Sequence, residues 1–271
     1  VNVADLVHGV RLTPTQRRIA RCLVEHAGQA AHLTAAEIAE LAGVSQPSVT
    51  RFATALGYDG FPALRRRLRE LATAAPVQNP ENDLQGAVHT EIANLTRLAA
   101  QLGDRGPILT AAGLLAGSRP LPVLGLRSAA PIASYFGYFA AKVHPDVRVL
   151  DDGGSMLGDR LEQARGAGAT ALLAFVLPRY PRETLDALRD ARDLGLGIVA
   201  ITDSPVSPVT ELADVVLPAS VGSDLVFDLH TAPMVLTMVL LQAICDAMPA
   251  GVQHRLEEFE TSAARRQIFT E

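Results

Sequence analysis

Seven residues in one short stretch, Ser45, Gln46, Pro47, Ser48, Thr50, Arg51 and Thr54, combine small hydroxyls, an amide and a guanidinium. At about 100° per residue, Pro47, Ser48, Arg51 and Thr54 share one side of a helix. Thr50 lies beside them and Gln46 sits in the first turn. Hydrogen-bonding groups of this size around one arginine can approach base edges and phosphates. Ser45 is placed to cap the helix, and Pro47 suits its first turn. Val49, Phe52, Ala53 and Leu56 form the opposite, apolar stripe.

A second helix must position this one. Thr34 and Glu37 have capping-box spacing, with Ile38, Leu41 and Ala42 following at helical intervals. Gly43 ends that helix in a left-handed turn, and Val44 fills the corner. Leu33 to Gly57 therefore reads as a helix-turn-helix. Supporting helices flank it. Thr13 to His26 carries Ile19, Ala20 and Leu23 inward, and Gly60 to Leu71 carries Leu64, Leu68 and Leu71 inward. The outer side of the latter holds Arg65, Arg66, Arg67 and Arg69, and Arg65 and Arg66 are taken as phosphate contacts. The competing reading is a helical module that docks to protein. Agreement between caps, turn glycine and polar face favours double-stranded operator DNA.

Leu12 to Leu71 resembles the N-terminal domain of the RpiR/MurR family of bacterial transcription regulators. The matching stretches are LTPTQRRIARCLVEH and TAAEIAELAGVSQPSVTRFATALGYDGFPALRRRL. The resemblance implies a DNA-binding head joined to a domain that senses sugar phosphates.

The chain has 271 residues, enough for about two domains, and 48% of them are hydrophobic. Its net charge is −5, which excludes a uniformly basic nucleic-acid protein. The charge is uneven. Residues 1–75 hold nine arginines and six acids, a balance of +3, and the remainder carries −8. A mildly basic head on an acidic body fits contact with DNA at one end only. Cys22 and Cys245 lie in separate apolar patterns and are read as core residues, with neither a disulfide framework nor a metal site implied. Neither a basic-then-apolar leader pattern nor a membrane-length apolar run is present, so a cytoplasmic protein is expected.

Residues 1–75 are assigned to the helical head, 76–83 to a linker and 84–271 to the second domain. After the linker, Leu84 to Leu102 reads as one helix with Val88, Ile92, Leu95, Leu98 and Ala99 on one face, available to its own domain or to another subunit. Apolar runs then recur at Leu121–Leu124, Val147–Leu150, Ala171–Val176, Gly197–Ile201 and Val215–Leu217. Helical patterns separate most of them: Ala130–Lys142, Met156–Ala167, Glu183–Leu194 and Pro208–Ala213. Leu229–Met248 and Val252–Gln267 close the chain. The expected fold is an all-α helix-turn-helix bundle followed by an α/β domain with a doubly wound, five-stranded parallel sheet.

Leu109 to Cys245 resembles the SIS (sugar isomerase) domain, through VLGLRSAA and GLGIVAITDSPVSPVTELADVVLPA. In that family the domain binds phosphosugars and usually dimerises, so a homodimer or higher homo-oligomer is expected. The family's Ser-x-Ser-Gly-x-Thr turn after the third strand is missing. The sequence there is LPRYPRET, from which Thr184 alone survives. The candidate effector residues are Arg127, Ser128, Ser155, Arg179, Tyr180, Arg182, Thr184 and Asp203. Arginine forks bind carboxylates as well as phosphates, so the expected ligand is a small anionic metabolite, a sugar phosphate or a sugar acid. Neither a cofactor nor a catalytic residue is assigned. His230, Asp224, Asp228 and Glu183 lack the spacing of an acid–base pair, and a phosphosugar isomerase with an appended head is the alternative.

Overall fold

The structure is a computed structural model that describes residues 6–7, 10, 12–26, 30, 33–73 and 83–268. The chain divides into two compact units: a head within Val1–Asn82, and a body built on Asp83–Asp203 and Pro208–Glu271. The linker expected at 76–83 lies, apart from Asp83, outside the described residues.

The head contains α1 (Pro14–Glu25), α2 (Ala35–Leu41), α3 (Gln46–Ala55) and α4 (Gly60–Thr73). Thr34 accepts from the Glu37 amide, and Glu37 accepts from the Thr34 amide at 2.7 Å. This closes the expected capping box. The Thr34 amide and the Thr34 hydroxyl, which also donates to Glu37 at 2.7 Å, hold the Glu37 carboxyl below its usual range. A second capping box, between Thr13 and Gln16, starts α1. Ile19, Leu23, Ile38, Val49, Phe52, Leu64 and Leu68 form one buried cluster, to which each contributes about 1.5–3 kcal/mol. The side chain of Leu71 lies outside the described residues. Leu41, expected to point inward, is 52% exposed. Ala39 takes the inward position, because α2 meets α1 and α3 along the Ile38–Ala39–Ala42 edge.

The body opens with α5 (Asp83–Gln101) and α6 (Gly106–Gly117). The strands β1 (Leu121–Gly125), β2 (Val147–Leu150), β3 (Ala171–Val176), β4 (Gly197–Thr202) and β5 (Val215–Pro218) follow. Between and after them lie α7 (Ala130–Ala140), α8 (Met156–Gly166), α9 (Arg182–Asp193), α10 (Thr231–Ala247) and α11 (Pro249–Arg265). The strands form one parallel sheet in the order β2-β1-β3-β4-β5. In β3, Ala171, Leu173 and Phe175 face the layer of α6, α7 and α10. Leu172, Ala174 and Val176 face α8 and α9. Both sides are buried, which explains the unbroken apolar runs.

Three expectations change. The helix expected at Pro208–Ala213 is only a 3-10 turn, Pro208–Glu211. α6 was not foreseen: it is apolar on every side and therefore shows no stripe. On α5, Val88 is 58% and Ile92 53% exposed, while Ala87, Glu91, Asn94 and Leu98 are buried. The face is fixed by hydrogen bonds. Glu91 accepts from the Thr231 amide at the start of α10 and from Asn94, and Arg97 bridges Asn94 to Ser220. No single helix among the described residues is long and apolar enough to cross a membrane.

The turn between α2 and α3 depends on one glycine. Gly43 has φ +59°, and a Cβ there would collide with the Arg18 guanidinium, which donates to the Gly43 carbonyl at 2.8 Å. Gly43→Ala should destabilise the head by about 1–2 kcal/mol from the left-handed backbone alone. A urea titration followed on the head's helical signal checks this, and an unchanged midpoint contradicts it.

Candidate nucleic-acid interface and ligand site

The polar side of α3 faces solvent. Ser45, Gln46, Pro47, Thr50, Arg51 and Thr54 are exposed and Ser48 is half-buried. Ser45 occupies the N-cap position, but its side chain makes no capping bond. Its hydroxyl meets the Ser48 hydroxyl at 2.9 Å, and Arg51 donates to Ser48 at 3.2 Å. Positions i, i+3 and i+6 are thus linked, which orders the guanidinium on the outer surface. Thr54 is turned back onto the Thr50 carbonyl at 3.2 Å. On α4, Arg66 is exposed and Arg65 half-buried, while Arg67 pairs with Glu70. Sequence reasoning missed Arg18, whose lock on the turn is a tertiary contact with no periodic signature.

In the body, the loops after β1, β2 and β3 gather at one edge of the sheet. The strand order reverses direction between β1 and β3, the position where such sheets bind ligands. Two non-glycine residues with left-handed backbone stand there: Arg127, φ 55°, after β1, and Arg179, φ 60°, after β3. Each is held at a cost of about 1–3 kcal/mol. A cavity of about 620 Å³ collects Arg127, Ser155 and Arg182 from the expected set, with Gly154, Glu183 and Asp190. Glu183 accepts the Gly154 amide, and a Cβ on Gly153 would overlap its carboxylate. The glycine pair therefore makes room for a carboxylate of the chain itself.

The remaining expected residues lie apart from this cavity. Tyr180 donates to Asp203 at 2.8 Å, so its hydroxyl is engaged within the protein. The Ser128 hydroxyl reaches the Leu177 carbonyl at 3.5 Å. Thr184 is 1% exposed on the inner side of α9, with no partner for its hydroxyl. α9 starts at Arg182, which puts Thr184 on its buried side. Arg179 is exposed. His230 stands at the N-cap of α10 without a capping bond, and Glu91 serves that helix start instead.

Burial pushes the Asp203 carboxyl above its usual range, and the Asp228 charge adds to this. Hydrogen bonds from Tyr180, its own backbone and Thr202 oppose it.

A helix-turn-helix head and a five-stranded parallel α/β body are therefore joined in one chain. Residues 7–74 match the helix-turn-helix domain of the rpiR family, and residues 114–244 match the SIS domain. The chain belongs to the rpiR family of helix-turn-helix regulators that carry a SIS domain. It is 26% identical over 263 residues to the HTH-type transcriptional regulator HexR of Pseudomonas aeruginosa, covering 90% of this chain and 86% of that one. It is 42% identical over 65 residues to the uncharacterized HTH-type transcriptional regulator YfhH of Escherichia coli, a match spanning 24% of this chain and 23% of that one. Among solved structures, the Vibrio vulnificus NanR protein complexed with ManNAc-6P shares the fold at 15% identity and a TM-score of 0.60, covering 99% of each chain.

Two outcomes are expected. Arg51→Ala should weaken binding to operator DNA and lower the slope of log affinity against log salt by about one. A fluorescence-anisotropy titration at several salt concentrations measures both, and unchanged values exclude this docking face. Asp203 has a higher value folded than unfolded, so its contribution to stability falls as pH rises through that window and its penalty is complete at neutral pH. Asp203→Asn, which keeps an acceptor for Tyr180, should raise the melting temperature at pH 7. The gain should vanish below about pH 3.9. A gain that is absent, or the same at both pH values, contradicts the assignment.

Proposed function

We propose that this protein is a ligand-responsive transcriptional regulator that binds operator DNA through α3 and a small anionic metabolite through the body. The observation that carries the DNA reading is the solvent-facing row Ser45–Ser48–Arg51, ordered by its own hydrogen bonds. Arg65 and Arg66 on α4 are assigned to phosphates. The fold shared with NanR, solved with ManNAc-6P, supports a phosphorylated or acidic sugar as the ligand class.

The cavity chemistry narrows this class. Arg127 and Arg182 supply guanidiniums for one anionic group, and Glu183 and Asp190 supply acceptors for hydroxyls. Ser128, Arg179, Tyr180, Thr184 and Asp203 are assigned to the surrounding shell. Glu183, which shares the cavity with Asp186 and Asp190, is engaged by the Gly154 amide, which favours a binding role over a proton-transfer role.

A second copy of the chain is the expected partner. Exposed Leu84, Val88 and Ile92 form a stripe on α5. Tyr135, Met234, Val235, Met238 and Val239 line an apolar groove of about 390 Å³ between α7 and α10. A symmetric pair presents two heads to two half-sites. Ligand and DNA affinities are then reciprocally linked.

A thermal-shift screen of sugar phosphates and sugar acids, followed by operator titration with each hit, tests the whole reading. At least one compound should both stabilise the protein and change operator affinity. In Arg127→Ala/Arg182→Ala the stabilisation should be lost while operator binding without ligand is kept. Response retained by the double variant would place the ligand elsewhere, and sustained turnover of a sugar phosphate would favour the isomerase alternative.

A further inference from the structure

The opposite edge of the sheet carries a second cluster of charge. Arg119 immediately precedes β1, and His144 lies just before β2. His254 and Arg255 belong to the first turns of α11. Arg119, His254, Arg255, Gly251 and Val143 line one cavity of about 460 Å³, and no carboxylate is among its described lining residues. This concentration of positive charge sits in the part of the chain whose overall balance is −8.

The cationic groups are held in place. Ser118, fully buried, has one hydroxyl proton, which the Pro120 carbonyl at 2.7 Å and the Ala171 carbonyl at 3.0 Å are both placed to accept, and its oxygen accepts the Thr170 and Ala171 amides. The backbone from which Arg119 springs is thereby fastened across β1 and β3. Arg255 donates one Nη2 proton to the Ala141 carbonyl at 3.3 Å. Its Nε is buried, so the guanidinium is anchored at its base and meets the cavity through its outer nitrogens. α11 is itself pinned to α7. Lys142 Nζ lies 4.4 Å from the ring centres of both Tyr138 and Phe259. Lys142 is the one lysine in the sequence.

α11 begins without a side-chain cap, and its Met248 N-cap is followed by Pro249. The Val252 amide makes the helix's first backbone bond, to the Met248 carbonyl. The amides of the first turn have no acceptor within the helix, and Pro249 and Gly251 line the same cavity as the two arginines. The buried His144 ring registers the local field. Burial first, and then the charges of Arg119 and Arg255, hold it below its usual value. His254 pairs with Glu258 at 3.4 Å and is exposed, so it can turn to an arriving anion.

We propose that this cavity is a second anion site, distinct from the ligand edge, which takes a phosphate-type oxyanion between Arg119, Arg255 and His254. Two forks and a helix start recognise oxygens on a tetrahedral dianion, free or on a small phosphorylated molecule. The site stands on the β-sheet edge at the N-terminal ends of the strands. It is independent of the cavity assigned above to the metabolite.

Inorganic phosphate is the probe. Isothermal titration of the full chain, with chloride matched for ionic strength, should give saturable binding. The same binding should persist in Arg127→Ala/Arg182→Ala, which lacks the guanidiniums of the other edge. Arg119→Gln, a change at an exposed position, should weaken it about tenfold, the loss expected for one charge-assisted hydrogen bond. Arg255→Lys tests the fork without removing charge and should also weaken it. In NMR spectra the His254 ring protons should shift on phosphate addition in the wild-type chain. Binding that survives Arg119→Gln unchanged, that vanishes in Arg127→Ala/Arg182→Ala, or that leaves His254 unmoved overturns the proposal, as does the absence of saturable binding.

Discussion

The arrangement of the body rests on burial of the same sheet from both sides. Parallel strands cannot be joined by tight hairpins, so each connection must cross over a face, and here most crossovers are helices. β3 shows the consequence at single-residue level, since alternate side chains enter different cores. With every strand running the same way, all the strand-to-helix junctions fall on one edge and all the helix-to-strand junctions on the other. The two charged cavities of the body follow from that division. Arg127 and Arg182 belong to junctions of the first kind, and Arg119 to one of the second.

The head obeys a different constraint, the angle between two short helices. At the α2–α3 turn Val44 packs against the head's apolar cluster. A left-handed glycine and the Arg18 guanidinium on its carbonyl fix the turn beside it. Phe52, with no exposed surface, then fixes which side of α3 turns inward, and Arg51 and Thr54 are left outside. The hydrogen bonds from Ser45 through Ser48 to Arg51 reduce the conformational freedom that the arginine would lose on contact with a partner.

Periodic features were legible in the sequence. The five strands were read to within one residue of their ends, and the capping box at Thr34 and the stop at Gly43 stand where the spacing put them. Features set by tertiary contacts were not. α6 is apolar even at its exposed positions Leu109 and Leu114, so nothing in its pattern marks a helix. The apolar face of α5 had been left to its own domain or to another subunit, and its pattern could not show that polar Glu91 and Asn94 are buried, since Glu91 is held by the amide of Thr231 far along the chain. At the edge where the cavity opens, Arg127, Arg179 and Arg182 stand close to the strand ends. The sequence could not reveal that Tyr180 would turn to Asp203, nor that Glu183 would reach the turn after β2. Both contacts join segments separated by more than twenty residues.

Strain at the ligand edge fits the same physical picture. Arg127 and Arg179 adopt a backbone that glycine would hold more comfortably. They end β1 and β3, the paired strands on either side of the point where the strand order reverses. Their flanking strands are fixed in register by Val123 opposite Leu173 and Gly125 opposite Phe175. A sheet so determined can impose a left-handed residue on each loop, whereas a free loop would relax. A glycine in either place would relieve the backbone and lose the guanidinium. The choice of arginine at two strained positions is therefore difficult to explain by folding alone. It follows if a cation is required at these strand ends, close to where the reversed strand order opens the edge to a ligand.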